Sequence, residues 1–162
     1  MKIAKFTHVS EPQYLEAMSD REGFLPLSEI PLPKRATKGS AGYDFVSPLE
    51  VTVPAGGTAL IPTGIRAEMD AGWVLMLFPR SSLGFKFSLR LGNTVGIIDS
   101  DYFYAQNEGH IFIKMTNCGD KPLTVEKGSA FAQGVFLPFG ITDDDACAAE
   151  RTGGFGSTDK KS

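Results

Sequence analysis

An all-β fold is the class this sequence predicts, on two observations. Eighteen glycines and ten prolines are spread along all 162 residues rather than gathered in one segment. Between them lie short runs of strand length, which is the texture of many short elements joined by tight turns. Spacing of this kind fits a sandwich, jelly roll or distorted barrel, and not a protein of alternating strands and helices.

The elements follow in order. Residues Lys2 to Phe6 alternate polar and apolar, as a strand with one buried face does. Ser10-Glu11-Pro12-Gln13 offers a Ser/Gln capping box ahead of Tyr14, Leu15 and Met18, so a short helix is expected from about Pro12 to Met18. Pro26, Pro31 and Pro33 make the stretch from Gly23 to Thr37 extended and poor in regular hydrogen bonds. Strand-length runs then occur at Leu49 to Val53, Thr58 to Ile61, Ile65 to Met69, Trp73 to Phe78, His110 to Met115 and Phe131 to Phe136. Turn sequences such as Thr63-Gly64, Asp70-Ala71-Gly72 and Asn117-Cys118-Gly119-Asp120 punctuate them.

At 42% hydrophobic residues, a chain of this length buries one core and is too short for two ordinary domains. We therefore expect a single β domain over 1–141, with 11–31 as an additional N-terminal segment, and a flexible C-terminal arm over 142–162. That arm opens on Asp143-Asp144-Asp145, has few core-forming residues and is expected to be mobile unless a ligand orders it. A net charge of −3 supplies no global basic field, which argues against a nucleic-acid partner; any phosphate must be bound locally. Cys118 and Cys147 lack the spacing of a zinc site or a disulfide framework. No signal-like or membrane-spanning stretch is evident, so a cytoplasmic protein without membrane attachment is expected.

Five segments could carry chemistry; the first four each have an ordinary structural explanation when taken alone, and the fifth is hard to explain as structure. Gly39-Ser40-Ala41-Gly42-Tyr43-Asp44 places a carboxylate after a glycine turn, where an Asp commonly just bonds the turn. Pro79-Arg80-Ser81-Ser82-Leu83-Gly84 gathers an arginine and two hydroxyls at a possible helix start, suited either to phosphate or to plain capping. Leu91 to Tyr102 runs from a glycine turn through an apolar strand to Asp99, Asp101 and an aromatic ring. An Asp there can lie in a partly dry pocket and act as a general base, or can be an exposed turn residue. Gln133 stands in the apolar run after Glu126-Lys127-Gly128-Ser129-Ala130 and needs a hydrogen-bond partner, from backbone or ligand. Arg151-Thr152-Gly153-Gly154-Phe155-Gly156-Ser157-Thr158 cannot build a core, yet its ring could stack on a base while its other groups hold phosphate.

Taken together and in this order, these segments resemble the five motifs of the trimeric dUTPase family, with AGYD, PRSSLG, GNTVGIIDSDY, KGxxxAQ and GGFGST covering about Leu32 to Thr158. The resemblance implies a β-clip fold, a distorted jelly-roll barrel with a short helix and a mobile C-terminal arm. It also implies a homotrimer with shared sites that hydrolyses dUTP to dUMP and pyrophosphate with Mg²⁺. By the same resemblance Asp99 is the general base, and Tyr102 packs on the deoxyribose. A hairpin from Asn93 to about Phe112, including Ile98, forms the uracil slot. Arg80, Ser81, Ser82 and Gln133 contact phosphate, and Asp44 meets the magnesium-bound triphosphate through water. Arg151, Phe155, Gly156, Ser157 and Thr158 belong to the arm that closes over the substrate, with Phe155 on the base.

Three features depart from the family pattern. Phe103 to Gly109 makes the hairpin longer than usual, Ala130 stands where an arginine is common, and Arg151 is one residue nearer Phe155. Two other readings compete. A dCTP deaminase shares the fold but uses a glutamate near the base, where this chain has Asp99-Ser100-Asp101-Tyr102. A nucleotide-gated binding protein would present a surface to a regulatory partner, with Glu11 to Pro31 and the long hairpin as its candidates.

Overall fold

The computed structural model describes residues 1–149, 151 and 153. Among them, β1 (Ala4–His8), β2 (Lys34–Arg35), β3 (Tyr43–Val46), β4 (Val51–Val53), β5 (Thr58–Pro62) and β6 (Ile65–Met69) precede β7 (Trp73–Pro79). After it come β8 (Leu89–Leu91), β9 (Gly96–Ile98), β10 (Phe112–Asn117), β11 (Leu123–Val125) and β12 (Ala130–Pro138). The two α-helices, α1 (Glu11–Ala17) and α2 (Ser81–Phe87), are short. All named strand pairs are antiparallel, in four sheets. The all-β class expected from the turns is therefore observed.

The largest sheet has the order β2-β3-β12-β7-β9. β12 is its spine: Gln133 lies opposite Asp44 of β3 on one side and opposite Phe78 of β7 on the other. Beneath it Phe45, Leu75, Leu77 and Phe131 are buried and join Ile61 and Ile113 of the β5-β10-β8 sheet in one core. Alternating burial along β6 and β10 shows the two-residue period of strands with one face on that core.

Helix α1 begins one residue before the expected position and ends one before it. Ser10 caps it, its hydroxyl accepting from the Gln13 N–H at 3.3 Å. The capping box is not completed from Gln13, because the Ser10 N–H donates instead to Glu108 at 2.7 Å, from across the chain. Tyr14 is fully buried and its hydroxyl donates to the Leu25 carbonyl at 2.8 Å; burial pushes its pKa up strongly. The proline-rich stretch is largely extended, as expected, but it contains a 3-10 turn at Leu27–Glu29, started after Pro26, that brings Leu27 and Ile30 into the core.

The hairpin expected from Asn93 to Phe112 is not a simple two-stranded one. β9 pairs with β7 and β10 pairs with β5 and β8, and a 3-10 turn at Ser100–Tyr104 lies between β9 and β10. Burial explains the arrangement: Gly96 and Ile98 face inward against Leu77 and Leu75, and the turn lets Tyr102 follow them inside. Cys118 and Cys147 are exposed thiols. Among the described residues, no helix is long and apolar enough to cross a membrane.

Candidate active site

One group of side chains gathers at the Pro79 end of β7. The register of β3 and β12 sets Asp44 beside Gln133, and the turn from β7 into α2 makes Arg80 the N-cap residue. Arg80 Nε lies 3.4 Å from Asp44 Oδ1. Gln133 finds the partner its apolar run demanded, donating to the Pro79 carbonyl at 3.3 Å. Its Oε1 occupies the space a Cβ at Gly42 would need, which is why the turn before Asp44 has no side chain there. A cleft of about 430 Å³ opens beside this group, lined by Arg80, Ser81, Gly84 and Phe85 with Pro79. Ser82 is exposed on the first turn of α2.

The second group lies past the end of β9. Asp99 caps the 3-10 turn through its backbone, its carbonyl accepting from the Tyr102 N–H at 3.1 Å. Its side chain is 50% exposed and pairs with Arg151, so of the two alternatives it is the exposed turn residue rather than a carboxylate in a partly dry pocket. Arg151 bridges both acids, with Nη2 at 2.6 Å from Asp99 Oδ2 and Nε at 2.8 Å from Asp101 Oδ1. The Arg151 guanidinium also lies 5.8 Å from the centre of the Tyr102 ring.

Tyr102 is only 4% exposed. Its hydroxyl donates to the His110 carbonyl at 2.7 Å and accepts from Asn107 Nδ2 at 2.8 Å. Burial raises its pKa, opposed by the Asn107 bond and the Arg151 charge. Asn107, which bonds the Tyr102 hydroxyl, also lines a mainly apolar cavity of about 650 Å³; Tyr102 itself does not line it. Asn93, Ile98 and Phe112 line it together with Leu60, Gly96 and Asn107. A concave apolar space with a few convergent amides suits a small flat polar ring.

These two groups sit at opposite ends of one strand. Leu75 pairs with Ile98 and Leu77 with Gly96, so Asp99 falls beyond Leu75 while Arg80 follows Pro79 at the other end. At the rise of an extended chain, about 20 Å of backbone separates them.

The structure thus brings Asn93, Ile98 and Phe112 to one cavity, sets Arg80 and Ser81 at one cleft with Asp44 and Gln133 beside it, and places Arg151 on Asp99. Phe155, Gly156, Ser157 and Thr158 lie outside the described residues. Sequence reasoning missed Asn107 and read Gly42 only as part of a turn, not as the space Gln133 needs. Asn107 bonds a hydroxyl on a neighbouring turn, which no local pattern announces, whereas the glycine two residues before Asp44 was a usable signal.

Comparison with known proteins gives one result throughout. The dUTPase family model matches residues 28–158. A deoxyuridine 5'-triphosphate nucleotidohydrolase of Lactococcus lactis subsp. lactis (strain IL1403) is 48% identical over 132 residues, 80% of this chain and 88% of that protein. One from Hahella chejuensis (strain KCTC 2396) is 44% identical over 142 residues, 83% of this chain and 90% of that protein. A crystal structure of dUTPase from Streptococcus mutans is 38% identical with a TM-score of 0.66, covering 85% of this chain and 98% of that one. With the family model and these relatives spanning most of its length, this chain belongs to the dUTPase family.

Proposed function

We propose that the chain hydrolyses dUTP to dUMP and pyrophosphate, with Asp99 as general base and with each site completed by neighbouring copies in a homotrimer. The observation that carries this reading is the placement of Asp99 directly after Ile98, which lines a mainly apolar cavity roomy enough for a nucleoside. A carboxylate there takes a proton from water, and the water oxygen bonds to the α-phosphorus while the bond to the bridging oxygen of the pyrophosphate breaks. Water is the nucleophile, so no covalent enzyme intermediate is needed.

Specificity follows from the cavity. Asn93 and main-chain groups read the edge of uracil, and a slot that mispairs with a 4-amino group rejects cytosine by roughly 10⁴. Ile98 and Phe112, both on the cavity wall, are the side chains that would reject a 5-methyl group sterically once the base is seated. Tyr102, by the family resemblance, packs on the deoxyribose and leaves no space for a 2′-hydroxyl.

Arg80, Ser81, Ser82 and Gln133 are the phosphate contacts. Their separation from Asp99 along β7 favours a site in which these groups come from one copy and Asp99 from another. Arg151 and the residues of the arm then close over the nucleotide, Phe155 on the base and Gly156, Ser157 and Thr158 on the γ-phosphate. Among the described residues no three His, Cys, Asp or Glu side chains gather to hold a metal, and Asp44 is a lone carboxylate shared with Arg80. That donor set fits a water-mediated contact to Mg²⁺ carried by the triphosphate. When bound, Mg²⁺ neutralises phosphate charge and polarises the phosphoryl oxygen. Acting in the cytoplasm, the enzyme would keep uracil out of DNA and supply dUMP for thymidylate synthesis.

The test is pyrophosphate release from dUTP, dATP, dCTP, dGTP and dTTP, with ammonia release scored for dCTP. Release from dUTP alone supports the reading. Ammonia from dCTP would replace it with deamination.

A further inference from the structure

We propose that Asn107, on the cavity wall, is a positioning residue that acts through the Tyr102 hydroxyl to fix the orientation of that ring behind the nucleotide cavity. The proposal rests on the reading of Tyr102 as the surface beneath the sugar.

The Asn107 amide is held on both its ends. Nδ2 donates to the Tyr102 hydroxyl at 2.8 Å, with the His110 carbonyl at 3.5 Å, and Oδ1 accepts from the Gly109 N–H at 3.3 Å. The same Tyr102 hydroxyl donates to the His110 carbonyl at 2.7 Å. The phenol therefore has a donor and an acceptor fixed around it, which sets the direction of the ring. Asn107 also lines the cavity itself and a second cleft of about 360 Å³ against α1, whose wall it shares with Gln13 and Glu16.

The segment around it is braced independently at each side. Before it, the Arg66 guanidinium lies 3.6 Å from the centre of the Phe103 ring and donates to the Phe103 carbonyl at 2.6 Å. After it, the Glu108 carboxylate accepts from both the N–H and the hydroxyl of Ser10, at 2.7 and 2.6 Å. Glu108 holds φ at 58°, a conformation an L residue adopts only when its surroundings fix it. At Gly109, φ 71°, a Cβ would come within 2.7 Å of the Tyr102 carbonyl oxygen, so the turn is pressed directly onto the residue it positions. Loop and N-terminal helix thus form one brace whose inward end is the Asn107 amide. An amide placed this way controls geometry at a reacting site without touching the reacting atoms.

The experiment is a double-mutant cycle on full-length protein, with KM and kcat for dUTP and UTP measured in wild type, Asn107→Ala, Tyr102→Phe and the double variant. For Asn107→Ala we expect the dUTP KM to rise about 3- to 10-fold with kcat within about 2-fold, and the preference for dUTP over UTP to shrink by a similar factor. In the Tyr102→Phe background the same change should add nothing further. Asn107→Asp, which keeps shape and removes the donor, should reproduce the KM rise if Asn107→Ala folds poorly. Losses that multiply in the double variant, or an Asn107→Asp protein with wild-type KM, overturn the proposal. Tyr102→Ala separates it from the reading beneath it: an unchanged dUTP to UTP ratio there removes Tyr102 as the sugar gate, while coupling in the dUTP KM still reports on the positioning.

Discussion

Arg151 Nη2 lies 2.6 Å from Asp99 Oδ2, and Arg151 Nε holds Asp101 at the same time. The proposed base is therefore paired with a cation before substrate arrives, and it must exchange that cation for a water. Asp99→Asn keeps the shape and removes the base. We expect kcat to fall by on the order of 10² to 10⁴ with binding of a non-hydrolysable dUTP analogue retained. Near-normal turnover would move the role to Asp101 or elsewhere.

Arg151→Ala removes the partner instead. The acids it holds are half exposed, so the folded chain should change in stability by less than about 1 kcal/mol in thermal melts. kcat/KM for dUTP should nonetheless drop about 10- to 100-fold, since an arginine that meets acids in the free chain is positioned to meet phosphate in the complex. A large fall in melting temperature with intact kcat/KM would make the residue structural.

Gly42→Ala should separate activity from stability at the other end of β7. The new methyl overlaps Gln133 Oε1, the end of a side chain that has room to swing only by breaking its bond to Pro79. We expect at least about a 10-fold loss in kcat/KM with a melting temperature lowered by only a few degrees. Wild-type activity would show that the Gln133 amide does not matter to the phosphate contacts.

Two inactive variants should complement each other. Asp99→Asn and Arg80→Ala, mixed under conditions that allow subunits to exchange, should recover activity in about a quarter of the sites if base and arginine come from different copies. No recovery despite demonstrated exchange would place both groups in one chain's site.

Acid should weaken the fold through His110. Its ring is fully buried, and Nε2 accepts from the Gly64 N–H at 2.8 Å, so the ring hydrogen is on Nδ1, which has no partner among the described residues. Burial pushes the pKa down to about 4 from 6.5, with Glu108 opposing. The unfolded chain then binds more protons between those values, so stability is full above pH 6.5 and is lost as pH falls towards 4, by up to about 3 kcal/mol. The Ser10 bonds hold the Glu108 carboxyl below its usual range, so its contribution disappears at still lower pH. Urea unfolding at pH 7, 6 and 5 checks the slope, and His110→Gln should flatten it; an unchanged slope in that variant would assign the effect to other groups.

Features decided by neighbours in sequence were legible from it. Ser10 and Pro12 placed α1 within a residue, and glycine turns bracketed β6 without error. β9 was not, because three residues carry too little periodicity to choose between β7 and β10 as a partner. The strand expected at His110 begins two residues later, at Phe112, because His110 and Ile111 turn inward to bond Gly64 and Thr63. In the candidate site the residue types were readable from the order of five segments, the first four of them bland alone. The pairing of Asp99 with Arg151 and the grip of Asn107 on Tyr102 were not, since both depend on chain segments brought together only by folding.

The central place of β12 has a consequence for how the molecule is made. Ala130–Pro138 is the last strand among the described residues, yet it lies between β3 and β7 in the largest sheet. A ribosome therefore releases Asp44 and Arg80 well before the strand that joins β3 to β7 exists. Until then β3 and β7 each offer an open edge to other nascent chains. Truncations that stop short of residue 138 should leave aggregates, and fusions that delay release of this strand should lower the yield of folded protein.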